Sequence, residues 1–266
     1  MDAADRQAAI LDLLTRQNRV EVEDLAQRFG VSLQTVRTDL RDLSARGALS
    51  RVHGGAVRSS SGASRDYAER RKLNAPGKRA MAALAADLIP DNCAITLNIG
   101  TSTEQVARAL SGHRGLTVIS NNINIINMMM NDESKELVLV GGAIRQSDGA
   151  IVGEDALEFI ARYKVDIAII GASAMDADGA ILDHDPREVS VARAILKNAR
   201  KRVLVCDGSK FDRTAPVRIC DIADLDVVIT DRPVPTEFSH AAAAAETQIL
   251  WVGENESSEN AEHKHA

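Results

Sequence analysis

A chain of 266 residues is too long for one small recognition module, and its 45% apolar content can build a sizeable core, so two domains are expected. Aromatic residues make up only 3%, which leaves packing to aliphatic side chains and alanine. The net charge of −6 excludes a uniformly basic nucleic-acid binder, but residues 1–72 carry +3 and the remainder −9, and local charge governs approach to a phosphate backbone. Cys93, Cys206 and Cys220 have no C-x-x-C spacing and two lie in apolar runs, so buried thiols in a reducing compartment are expected rather than a disulfide or a metal centre. The absence of a signal-peptide pattern and of an apolar run of membrane length points to the cytoplasm.

The first helix is expected over 3–16, where Ala9, Ile10, Leu13 and Leu14 share a face. Val20 and Val22 flank Glu21 in a short alternating stretch suited to pairing with a later strand. Leu25, Ala26 and Phe29 form the inward face of a second helix that Gly30 ends. Ser32 is placed to cap a third helix, in which Val36, Leu40 and Leu43 face the core. Its opposite face presents Gln34, Thr35, Arg37, Thr38 and Arg41. Asp39 and Asp42 are expected at the sides of this helix, within reach of Arg41 or Arg46.

After Gly47, the run Leu49 to Val57 holds Arg51, His53, Gly54 and Gly55, with the glycine pair turning between two short strands. Helix, turn, arginine-bearing helix and small β-wing together predict a winged helix-turn-helix over residues 1–58, whose third helix enters the DNA major groove. Arg and Gln there can read base edges, while Ser and Thr hydroxyls hold phosphates. The DNA-facing set is Ser32, Gln34, Thr35, Arg37, Thr38, Arg41, His53 and Gly54, with His53 open to a structural role or a phosphate contact.

Residues 59–77 have the Ser, Gly and Pro content of a linker, within which Tyr67 to Lys72 can form a helical turn. From 78 to 252 apolar runs alternate with helical patterns. Strands are expected at Ala94–Ile99, Leu116–Ser120, Leu137–Val140, Ile167–Ile170, Val203–Cys206, Val227–Thr230 and Ile249–Val252. Helices lie between them, near 78–89, 102–110, 122–131, 155–163, 188–199 and 235–246. This is the pattern of an α/β domain with a mostly parallel sheet covered on both faces. The apolar segment Ile123–Met130 suits either a subunit interface or burial, and residues 253–266 have the composition of a disordered tail.

Ligands of open parallel sheets bind beyond the carboxyl ends of the strands. Those ends read Asn98 to Thr103, Ser120-Asn121-Asn122, Gly141-Gly142, Gly171 to Ser173 and Asp207 to Lys210, small and polar throughout. Gly100 to Thr103 run straight into a helix whose free N–H groups can hold an anion, and Lys210 can supply a matching charge. There is no P-loop and no Rossmann glycine fingerprint, so no nucleotide cofactor is expected, and none of any other kind.

The segment LAQRFGVSLQTVRTDLRDLSARGALSRVHGGAV resembles the N-terminal signature of the DeoR family of bacterial sugar-metabolism regulators. NIGTSTEQVARAL, SNNINI, LVGGAIRQSDGAIVGEDALEFI and VLVCDGSKFDRTAPVRI extend the resemblance over residues 5–252, into an effector domain similar in fold to ribose-phosphate isomerases and CoA transferases. The resemblance implies a repressor of a carbohydrate or polyol operon that small phosphorylated metabolites release from operator DNA. It implies a phosphate cradle at Gly100, Thr101, Ser102 and Thr103, with Asn121, Gly142, Arg145, Glu188 and Lys210 near the ligand.

Within the family, residues 145–153 and 209–217 are most similar to the branch that answers to glycerol 3-phosphate, with other sugar phosphates as the alternative. Two positions depart from the family pattern: Thr38 stands where a second basic residue is usual, and Asn98 where an Asp is usual. Reading two half-sites requires at least a dimer, and the resemblance allows a tetramer. The fold also admits an isomerase-like enzyme with Asp183, Asp185, Glu188 and Lys210 as acid, base and electrostatic helper. A sensor attached to a DNA reader needs no chemistry of its own, so no enzymatic activity is expected.

Overall fold

The computed structural model describes residues 2–17, 19–45, 48–52, 54–58 and 67–253. His53, the linker residues 59–66 and the tail from 254 lie outside the described residues. The chain separates into two compact units, one of residues 1–70 with 146–148 and the other of residues 71–145 with 149–266.

In the first unit, α1 (Ala3–Gln17), α2 (Val22–Phe29) and α3 (Leu33–Ala45) pack Ile10, Leu14, Leu25, Val36, Leu40 and Leu43 into one aliphatic cluster. The chain enters α2 from β1 (Arg19–Glu21) and leaves α3 into the wing strands β2 (Leu49–Val52) and β3 (Gly55–Arg58). Strand β3 pairs antiparallel with both, so β1 joins the wing as its third strand. A Cβ on Gly55 would lie 2.1 Å from the Val20 carbonyl oxygen, which is why the strands approach so closely only with glycine there. Val22 opens α2 instead of extending β1, and its N–H, which has no acceptor within the helix, bonds the Gly54 carbonyl across the wing at 2.8 Å.

Asp39 does not lie at the side of α3 near Arg41. It is buried, and Arg6 of α1 clasps it with Nε at 2.6 Å and a second guanidinium nitrogen at 3.2 Å. Gln7 adds a third donor at 3.3 Å. Asp42 does reach Arg41, at 3.7 Å, with both side chains exposed. Removing one partner of a buried pair leaves the other charge without compensation. Asp39→Ala is therefore expected to lower the melting temperature of the first unit by on the order of 10 °C, read by circular dichroism.

The second unit is a seven-stranded parallel sheet. Its strands are β4 (Ala94–Leu97), β5 (Thr117–Ser120), β6 (Glu136–Leu139), β9 (Val165–Ile170), β12 (Ala199–Val205), β14 (Val227–Thr230) and β15 (Gln248–Trp251). All seven expected strands are present, in the spatial order β15-β14-β12-β9-β4-β5-β6. Ile167 and Ile169 point to one face, Ala168 and Ile170 to the other, and both faces are covered. Helices α4 (Ala75–Asp87), α5 (Thr101–Ala109) and α6 (Ile123–Met129) pack on the first face. On the second lie α7 (Glu154–Ile160), α8 (Pro186–Lys197) and α9 (Thr236–Ala244). In α6, Ile125, Ile126 and Met129 are buried within the unit and only the following Met130 stands out, 60% exposed.

Five short strands escaped the reading of the sequence. β7 (Ile144–Arg145) and β8 (Ala150–Ile151) form a hairpin beside the end of β5, where Ile151 N–H bonds the Asn121 carbonyl at 2.8 Å. β10 (Ala174–Met175), β11 (Ala180–Asp183) and β13 (Val217–Asp221) make a small antiparallel sheet that adds Met175, Ile181 and Ile219 to the second-face core. Cys206 and Cys220 are buried free thiols, pushed up to about 12 by loss of solvent, and Cys93 is half-buried. Among the described residues no helix is long and apolar enough to cross a membrane.

Candidate functional site

In the first unit the candidate interface is built on α3. The Thr35 N–H donates to Ser32 Oγ at 3.1 Å, so Ser32 caps the helix as its position predicts, and the two hydroxyls lie 2.9 Å apart. Gln34, Arg37 and Arg41 are exposed, Thr35 and Thr38 half-buried, while Val36, Leu40 and Leu43 face inward. Gly54 sits exposed at the wing turn with φ +79°. One face of α3 therefore carries guanidinium and amide groups over a rigid base, the arrangement that reads edges in a major groove.

In the second unit, β5 and β6 lie to one side of β4, and the chain then crosses back to place β9, β12, β14 and β15 on the other. The strand order reverses between β4 and β9, and such a switch point opens a crevice at the carboxyl ends. Asn98 leaves β4 there, its N–H on the Ile169 carbonyl at 3.0 Å. Gly100 follows with φ +140°, a value natural only to glycine, and starts α5 with no side chain capping it. The first intrahelical bond runs from Glu104 N–H to the Gly100 carbonyl, which leaves the amides of Thr101, Ser102 and Thr103 at the open helix end.

Buried oxygens line the same end of the sheet. Asn98 and Asn121 are 4% and 0% exposed, and the Oδ1 of each has no hydrogen-bond partner among the described residues. Asn121 spends its amide nitrogen on the Ile151 carbonyl at 3.1 Å, and Thr103 its hydroxyl on the Gly100 carbonyl at 2.8 Å. Ser120 ties β5 to β4 by donating to the Leu97 carbonyl at 2.8 Å. Acceptors buried without donors cost about 1–3 kcal/mol each, so either oxygen would gain from a hydroxyl or N–H group set against it.

Lys210, half-buried, arrives on the loop after β12. That loop is fixed by Asp207, which accepts from the Ser209 N–H and hydroxyl, and by Asp231, which accepts from Gly208 N–H at 2.6 Å and from Asn74 Nδ2 at 2.7 Å. Asp207 opens the Asp207 to Lys210 strand end already marked in the sequence, whereas Asp231 and Asn74 were not singled out. Glu104, fully buried in the first turn of α5 and 3.4 Å from Arg71, was also missed.

Arg145 and Glu188 meet: Arg145 forms ion pairs with Glu188 and, at 3.2 Å, with Asp185, which also caps α8. Burial alone would raise the Asp185 carboxyl, but hydrogen bonds from Arg187 and the Arg145 charge outweigh it and hold it below its usual value. A carboxylate kept ionised in this way is a poor general acid. Gly142 is exposed, and a Cβ there would fall 2.9 Å from Ile151, so packing against β8 requires its glycine. A separate cleft of about 780 Å³, at the amino ends of β5 and β6, is lined by Arg108, His113, Arg114 and Lys135. There His113 Nε2 lies 2.9 Å from the Ile89 carbonyl and Lys135 bonds Asp132, so these groups serve the fold.

A groove reader joined to an α/β unit with an open helix end at its switch point defines a ligand-responsive transcription regulator. The chain belongs to the DeoR family: residues 6–62 match the DeoR-like helix-turn-helix domain and residues 73–232 the DeoR C terminal sensor domain. It is 38% identical over 235 residues to the glycerol-3-phosphate regulon repressor of Escherichia coli strain K12, covering 88% of this chain and 93% of that protein. Identity to the glycerol-3-phosphate regulon repressor of Haemophilus influenzae is 39% over 225 residues, 85% of this chain and 88% of that one. Ribose 5-phosphate isomerase A of Methanocaldococcus jannaschii aligns with a TM-score of 0.38 and 20% identity over 52% of this chain and 54% of that one, too distant to carry an activity over. The chain is a DNA-binding transcriptional repressor of this family.

Replacing Gly100 forces a side chain into a backbone region that costs about 1–3 kcal/mol. Gly100→Ala should leave the helical content intact and abolish stabilisation by phosphate esters, measured as the loss of their thermal shift.

Proposed function

We propose that the second unit senses a small polyol phosphate, glycerol 3-phosphate first among them, and that its binding releases the chain from an operator. The observation that carries this reading is the pairing of an uncapped helix start with two buried, donorless oxygens at one switch point. The amides of Thr101, Ser102 and Thr103, with Lys210, suit a dianionic phosphate. The Asn98 and Asn121 oxygens suit hydroxyl groups a few ångströms away. Asn98 in place of the usual Asp removes a negative charge from the neighbourhood of that phosphate. Gly142, Arg145 and Glu188 belong to the rim of the site in this reading, and the names of the relatives favour glycerol 3-phosphate over a sugar phosphate.

Coupling requires the ligand to prefer the state whose winged helices do not fit the operator. A difference of about 1–3 kcal/mol changes operator affinity about 5- to 150-fold. Two half-sites one helical turn apart, about 34 Å, need a dimer or a tetramer of two such dimers, acting in the cytoplasm. The decisive experiment is a thermal-shift series with glycerol 3-phosphate, several sugar phosphates and phosphate-free glycerol. Saturating glycerol 3-phosphate should raise the melting temperature by about 5–10 °C and glycerol by nothing. A larger rise with a sugar phosphate reassigns the effector, and equal rises with all esters refute hydroxyl recognition.

On the DNA side, Ser32, Thr35 and Thr38 suit phosphate contacts and Gln34, Arg37 and Arg41 base edges, with Gly54 at the wing. Arg37→Ala should weaken operator binding about 10- to 100-fold and relax preference at one base pair. Wild-type affinity should fall steeply with salt in a gel-shift titration, because each neutralised phosphate releases counterions.

A further inference from the structure

Four large apolar side chains stand exposed among the described residues, and only Leu33 belongs to the unit that carries α3. It is 41% exposed at the first position of that helix, directly after the capping Ser32. Residues i, i+4 and i+8 of a helix lie along one ridge, so Leu33 heads the row that continues through Arg37 and Arg41, both exposed. The row thus begins with a branched hydrocarbon and continues with two guanidinium groups. Leu33 stands outside the buried cluster that holds Val36, Leu40 and Leu43, so part of its isobutyl group is open to a partner at the start of the helix.

In the major groove one base-pair feature is apolar, the C5 methyl of thymine. We propose that Leu33 reads a thymine by covering this methyl, next to the base that Arg37 addresses. The inference rests on α3 being the helix that enters the groove. The Ser32 cap holds the first turn in place, so ordering Leu33 against DNA takes little further entropy, and the buried methyl adds its own transfer free energy. Replacing thymine by cytosine would set an amino group against the same hydrocarbon, so the contact discriminates without a hydrogen bond.

The test uses the full chain and duplex sites that it selects from a random pool. Each thymine of a selected site is replaced in turn by deoxyuridine, which removes only the methyl. One such replacement in each half-site should weaken wild-type binding about fourfold, the worth of one buried methyl. Leu33→Ala, which removes the contact from both half-sites at once, should bind the parent site about 15-fold more weakly and be indifferent to the replacement, while Leu33→Met keeps the penalty. Should alanine disturb the helix start, Leu33→Gln, of similar length, must also lose the penalty. Wild-type indifference at every thymine overturns the proposal, as does a full uracil penalty retained by Leu33→Ala or Leu33→Gln. A chain that selects no site at all overturns the groove reading itself, and this contact with it.

Discussion

The reversal of strand order between β4 and β9 is the constraint on which the sensor depends. A parallel sheet must return its chain by crossover helices, and where successive crossovers leave in opposite directions nothing fills the crevice above the strand ends. Asn98 and Gly100 come from one bank of that crevice and Gly171 to Ser173 from the other. The residues beyond β5 and β12 flank them, which brings Asn121 and Lys210 to the same edge although they are far apart in sequence. Moving β9 to the far side of β6 would leave every residue in its own strand and scatter the site.

The same edge is also where the fold carries its unsettled polar groups. Elsewhere the second unit satisfies its buried hydrogen-bonding atoms with care: Ser120 binds Leu97, Asp231 clamps two segments, and Thr247 binds the carbonyls of Ile222 and Leu225. Two asparagine oxygens with no donor, on adjacent strand ends, stand out against that background. The cost is borne in advance, by the folded chain.

Much of this was legible in the sequence. The seven parallel strands were visible because a strand buried on both faces must be apolar along its length, as in Ile167 to Ile170 and Val227 to Ile229. The Ser32 cap and the Gly30 stop were visible because each has a local cause. The strands Ile144–Arg145 and Ala174–Met175 were not, since two residues carry no period and their pairing is decided by distant partners. Nor was the Arg6–Asp39 clasp: both residues look like solvated helix charges, and only tertiary packing brings them together across 33 positions. The candidate ligand residues were half legible. Small polar strand ends pointed to a candidate anion site, but the burial of Asn98, Asn121 and Glu104 depended on what the helices would cover.

The clasp divides α3 into two kinds of position. Position 39 is claimed by α1, along with the inward Val36, Leu40 and Leu43, and a new side chain at any of them is answered by the domain's own architecture. Gln34, Arg37 and Arg41 are exposed, and the contact of Arg41 with Asp42 is itself at the surface. On the proposed reading of the operator, a lineage drifting toward a different promoter, or an engineer steering it there, can change those three side chains while leaving the scaffold that presents them untouched.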